Sequence, residues 1–84
     1  MKTKFQKIRK WAAALGYSLE DAGTNYIIIT INSDMYYEIE GRGSVQGNPA
    51  GFYVTRNGRY KSFEASQADV IEEMELKIRR YEAW

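Results

Sequence analysis

Residues 26–40 read YIIITINSDMYYEIE, and the fold turns on this stretch. Tyr26 to Ile31 is rich in β-branched side chains, which suit a pleated, half-buried surface. Asn32-Ser33-Asp34 interrupts the run with residues that favour turns. The second half alternates. Met35, Tyr37 and Ile39 share one face, and Tyr36, Glu38 and Glu40 the other, because a strand has period two. The polar set marks the solvent side. Two such runs around a short break predict an antiparallel hairpin, with Ile27, Ile29 and Ile31 on the buried face.

Downstream, GFYVTRNGRYKSF (51–63) repeats the logic. Asn57-Gly58 between alternating runs is a strong hairpin signal, a two-residue type I′ turn. That turn pairs Arg56 with Arg59, Thr55 with Tyr60 and Phe52 with Phe63. Phe52, Val54 and Phe63 then face the core, and Tyr53 and Tyr60 face solvent. Upstream, YSLEDAGTN (17–25) suggests a short extended piece followed by an AGTN turn.

A helix is predicted at each end. Thr3 and Gln6 have capping-box spacing. Phe5, Ile8, Ala12 and Leu15 make one apolar face, and Gly16 follows as a C-cap, so the first helix spans about residues 4–15. The last opens near Ser66 with Asp69 at capping-box-like spacing. Val70, Ile71, Met74, Ile78 and Tyr81 form its stripe, and Glu73–Lys77 and Glu75–Arg79 are i,i+4 pairs. Both helices need a surface to bury against. The expected fold is therefore a single α+β domain over residues 1–84, ordered α-β-β-β(-β)-α. It has an antiparallel sheet of three to four strands with both helices on one face. The other face stays open.

Composition narrows the chemistry. The chain has 84 residues, 44% of them hydrophobic, and seven tyrosines. It has no cysteine and no histidine. That argues against a disulfide framework, thiolate metal sites and the commonest general base. A reducing cytoplasm is the simplest home. Glu38 and Glu40 share a face but lack the cleft a carboxylate pair needs. The D-x-D-x-D-G calcium pattern is missing. The expectation is a non-enzyme with no catalytic residue, no cofactor and no metal. No segment approaches the roughly 20 apolar residues of a membrane helix. The net charge of +1 hides blocks: five bases and no acid in residues 1–10, five acids and no base in 11–41.

GRGSVQGNPAG (41–51) carries four of the seven glycines and the single proline. A dinucleotide fingerprint needs G-x-G-x-x-G before a helix. Gly41, Gly43 and Gly47 are spaced differently and a strand follows. A P-loop would end in Gly-Lys-Ser/Thr. What remains is a flap over a ligand with Arg42 supplying charge, a connector with glycines at positive φ, or a loop ordered by a macromolecular partner.

Two binding surfaces emerge. The open face would offer Tyr26, Tyr36, Glu38, Glu40, Tyr53 and Tyr60 to a protein. Arg42 and an exposed Leu76 would add to it, since tyrosine gives large contact area at low entropy cost. A homodimer would use the same features. Alternatively, Lys4, Lys7, Lys10 and Trp11 on the first helix, with Arg56 and Arg59, would bind nucleic acid by phosphate contact and stacking.

Helix–three strands–helix resembles the topology of double-stranded-RNA-binding domains. Those domains place a basic cluster where this chain has Asp69, Glu72, Glu73 and Glu75, and their Gly-Pro-x-His loop is here NSD. Size, lack of cysteine and the α-β-α order also resemble small phage or mobile-element proteins, such as anti-CRISPR-type inhibitors. That resemblance implies a non-catalytic inhibitor or regulator that occupies a larger protein. It assigns no residues.

Overall fold

A computed structural model describes residues 5–43 and 50–82. Thr3, Lys4 and the centre of the glycine-rich stretch, 44–49, lie outside the described residues. The elements run α1 (Gln6–Leu15), β1 (Ser18–Gly23), β2 (Tyr26–Asn32), β3 (Met35–Arg42), β4 (Gly51–Arg56), β5 (Tyr60–Glu64), α2 (Gln67–Glu82). The strands form one antiparallel sheet in the order β1-β2-β3-β4-β5. The class is α+β, with both helices on one face.

The β2–β3 hairpin closes on Ser33-Asp34, and the Asp34 N–H donates to Asn32 Oδ1 at 2.8 Å. Ile27, Ile29, Met35, Tyr37 and Ile39 are buried on one face, as the alternation predicts. Phe5, Ile8 and Ala12 of α1 and Val70, Met74 and Ile78 of α2 close over them. Each fully buried side chain of this size stabilises the fold by about 1.5–3 kcal/mol. Leu15, expected on the buried face, is 53% exposed at the end of α1, beside Ile78 of α2. It sits next to Gly16, whose φ of 78° ends the helix.

The sheet has five strands because residues 18–23 pair with β2, with Ala22 outside the ladder. Arg9 binds Asp21 from above and anchors that strand. The AGTN turn tightens to Thr24-Asn25.

The helices are parallel. Both start at the end of the sheet that carries Gly23, Arg42, Gly51 and Glu64. Gln67, the first residue of α2, accepts the Lys7 N–H at 2.8 Å and the Ile8 N–H at 3.2 Å. It thereby caps α1 across 60 residues of sequence, where α1's own N-cap residue Phe5 makes no side-chain cap. At the other end, Tyr81 donates to Asp34 Oδ2. Glu73–Lys77 forms as expected at 2.8 Å. Glu75 instead accepts a hydrogen bond from Trp11 Nε1.

The expected register of the β4–β5 hairpin is overturned. Asn57 and Gly58 have φ of 55° and 72°, and the Arg59 N–H donates to the Arg56 carbonyl, as a type I′ turn requires. But the ladder resumes at Arg56–Tyr60, followed by Thr55–Lys61, Val54–Ser62, Tyr53–Phe63 and Phe52–Glu64. Arg59 is an extra residue outside the pairing. The shift is one residue, so every β5 side chain changes face. Phe63 lies on the open face and Tyr60 on the helix face. Asn57 fixes the turn sideways: its Oδ1 accepts from the Tyr36 N–H and its Nδ2 donates to the Asp34 carbonyl.

Candidate interaction surface: the open face of the sheet

The face away from the helices carries Tyr26 and Ile28 from β2, and Tyr36, Glu38, Glu40 and Arg42 from β3. Tyr53 and Thr55 come from β4, and Lys61 and Phe63 from β5. Six of the eight residues expected to bind protein are therefore together. Tyr60 and Leu76 are not. Tyr60 lies on the helix side with the Arg56 guanidinium 4.4 Å from its ring centre. Leu76 is 43% exposed, on α2.

Tyr53 organises one half of this face. The Phe63 ring meets it edge-on at 5.1 Å. Arg42 and Lys61 approach the same ring at 5.3 and 5.4 Å. Such cation–π contacts contribute roughly 0.5–1 kcal/mol each at exposed sites and hold both cations in place. Phe63 keeps its position because Gly51 has no side chain. A Cβ there would stand 2.3 Å from Phe63 Cζ and 2.7 Å from the Glu64 carbonyl oxygen. The aromatic covers a bare glycine across the strand pair. On the other face a Cβ on Gly41 would meet Phe5 at 3.7 Å and Phe52 at 3.8 Å, ordinary contact that the site would accept. Neither glycine, nor Gly43, has a positive φ. Gly51 answers to packing, and the expectation of positive-φ turn glycines fails for all three.

The other half is acidic. Tyr26 donates to Glu38 Oε2 at 2.5 Å. That hydrogen bond, with some desolvation, pushes the Tyr26 phenol from 10.0 up to about 12. Glu40 is exposed beside it, and Glu20 of β1 extends the acidic side. Between the halves runs an open trough of about 850 Å³, lined by Tyr26, Glu38, Glu40, Arg42, Tyr53 and Lys61. Carboxylates, cations and an aromatic platform lie side by side on a shallow surface. This suits docking of a polar, folded surface. Among the described residues no group of three or more acidic side chains is placed to hold a metal ion.

The residues proposed for nucleic acid are scattered. Lys7 is on the first turn of α1, at the Gly23–Arg42 end of the sheet. Arg56, on β4, and Arg59, in the turn to β5, are at the opposite end, by the strands that contact α2. Trp11 is half-buried, packs against Tyr17 at 5.4 Å and donates to Glu75. Arg56 is engaged with Tyr60. Only Lys7, Lys10 and Arg59 point freely outward. Lys4 lies outside the described residues.

Sequence reasoning missed Phe63 and Lys61 as open-face residues. The usable signal was Gly51 twelve positions before Phe63 in a hairpin, a bare glycine that a cross-strand aromatic covers.

No helix among the described residues is long and apolar enough to cross a membrane. Set against known protein families, characterised proteins and solved structures, the chain matches none.

Proposed function

We propose that this chain is a non-catalytic binding protein whose open sheet face docks onto a larger protein. On this reading it acts in the cytoplasm as an inhibitor or regulator of phage or mobile-element type. The observation that carries the reading is the Tyr53–Phe63–Arg42–Lys61 cluster beside the Tyr26–Glu38 pair, on a face that no other part of the described chain covers. A half-buried aromatic with its rotamer already fixed loses little entropy on binding, and opposite charges on either side set orientation.

The test is capture with tagged chain from a source lysate, comparing two double variants of confirmed fold. Tyr53→Ala with Lys61→Glu alters the open face. Lys10→Glu with Arg80→Glu alters the helix face. Loss of an aromatic anchor costs an interface about 2 kcal/mol or more, near thirtyfold in Kd. The open-face variant is expected to lose the partner and the helix-face variant to keep it. Equal retention by both refutes the reading. Recovery of nucleic acid whose binding weakens steeply with salt would favour the basic-helix alternative instead.

A further inference from the structure

Among the described residues the sheet has two free edges, and the chain treats them differently. An exposed strand edge invites pairing, and proteins blunt it with bulges, charges or proline. β1 is blunted. Its register breaks between Asp21 and Gly23, and it carries adjacent acids, Glu20 and Asp21. β5 has no proline and pairs with β4 without a register break. Its one lysine, Lys61, leans over Tyr53 on the open face and leaves the edge clear. Tyr60 and Phe63 of this edge strand are 56% and 41% exposed.

We propose that the free edge of β5 pairs antiparallel with β5 of a second copy, centred on Ser62, to join two sheets into one of ten strands. This goes beyond the open-face reading and does not depend on it.

The backbone has the right parity. The Asn57 N–H donates to the Tyr36 carbonyl on β3. Backbone groups alternate sides along an antiparallel strand, so Arg56, Val54 and Phe52 direct theirs toward β5. Their partners Tyr60, Ser62 and Glu64 point back at β4. The N–H and C=O groups of Lys61 and Phe63 are therefore the ones left at the edge. With Ser62 on the two-fold axis, Lys61 exchanges both hydrogen bonds with Phe63 of the second copy, and Phe63 with its Lys61.

The side chains complement themselves in this register. On the open face Lys61 lies opposite a Phe63 ring, a cation–π pairing. On the helix face Tyr60 lies opposite Glu64, whose carboxylate accepts from Ser62 Oγ at 3.0 Å; Tyr26 and Glu38 bring the same two groups together on a diagonal. Ser62 meets Ser62. A register centred on Lys61 sets lysine against lysine. One centred on Phe63 pairs only residues 62–64 of the strand. The Ser62 register uses all five, and its axis, normal to the sheet, keeps both helix layers on the same side. Glu64, Asp69, Glu72, Glu73 and Glu75, with Arg79 the one cation among them, line the groove between β5 and α2 beside this edge, so net negative charge faces net negative charge across the axis and the pairing strengthens when salt screens it.

The test uses the absence of native cysteine. Sedimentation equilibrium at about 0.3 M salt, where the Debye length is well under 10 Å, is expected to show a monomer–dimer equilibrium. Lys61→Pro removes an edge N–H, which proline tolerates where the N–H faces outward. It is expected to abolish the dimer, and Lys61→Ala, which keeps the N–H, to retain it. Ser62→Cys is expected to oxidise to a covalent dimer at least about tenfold faster than Lys61→Cys. In this register only the former brings two Cα atoms to about 4.5 Å, within disulfide reach. A chain that sediments as a monomer across the range, or a Ser62→Cys that cross-links no faster than Lys61→Cys, overturns the proposal. Loss of partner capture by open-face variants of a monomeric chain would leave the open-face reading standing alone.

Discussion

Gly51→Ala adds one methyl group to the open face, and the structure sets what it meets. The new Cβ stands 2.3 and 2.9 Å from Phe63 ring atoms and 2.7 Å from the Glu64 carbonyl oxygen. The ring can rotate away. The carbonyl cannot, because it belongs to the strand paired with Gly51's own. Overpacking of this kind costs roughly 1–3 kcal/mol. Displacing Phe63 also forfeits its edge-on contact with Tyr53, a further 0.5–1.5 kcal/mol or so. The expected loss is about 2–3 kcal/mol. For a domain this small the urea slope is near 1 kcal/mol/M, so the unfolding midpoint should fall by about 2 M. Gly43→Ala is the matched control. Nothing lies within 4 Å of its added Cβ, and its φ is not positive. It should be neutral, or stabilise by about 0.4–1 kcal/mol through the unfolded chain. Adding Phe63→Ala to Gly51→Ala removes the ring clash and leaves the carbonyl clash. A double-mutant cycle should therefore show a coupling of about 1 kcal/mol rather than full rescue. Midpoints for Gly51→Ala and Gly43→Ala that agree within about 0.5 M would refute the packing argument at that slope.

Gln67→Ala should cost about 1 kcal/mol, because it orphans the Lys7 and Ile8 N–H groups. Gln67→Glu should hold stability by keeping an acceptor at a helix N-terminus, and urea unfolding of the two variants that gives one midpoint contradicts the cap. Alkaline titration followed by phenolate absorbance should show Tyr26 and Tyr37 ionising near 12, Tyr26 through its bond to Glu38 and Tyr37 through burial. Both pKa values are raised on folding, so the stability they contribute is intact below about pH 10 and declines as pH climbs through 12. Tyr26→Phe should remove one late-ionising group, and an unchanged late fraction would contradict the Tyr26–Glu38 bond.

What the sequence made legible follows from where its signals are local. The β2–β3 hairpin needed only period-two alternation and a polar break, and Met35, Tyr37 and Ile39 are buried as that pattern implies. The β-turn at Asn57-Gly58 was equally plain, because only residues tolerant of positive φ suit it. β1 was faint for a physical reason. Glu20, Asp21 and Gly23 are poor strand formers, and their strand exists because β2 and Arg9 hold it. The Gln67 cap joins residues 60 positions apart and leaves no local trace.

The candidate site was hidden by a single residue. Arg59 stands outside the ladder, and that shift sends Phe63 and Lys61 to the open face and Tyr60 to the other. Without it Tyr53 would face Ser62 directly, with Tyr60 only on the diagonal, and Gly51 would have no ring to cover it. The same two residues then serve in two directions. The side chains of Lys61 and Phe63 finish the Tyr53 cluster, and their backbone groups face the free edge. Pairing at that edge would set each copy's cluster beside the other's, with the axis through Ser62, and leave both open faces uncovered. A partner with two equivalent epitopes would then be held at both, so a dimeric chain should gain avidity that Lys61→Pro loses. Lys61→Ala, lacking the same cation but keeping the edge N–H, separates that loss from loss of the cation–π contact.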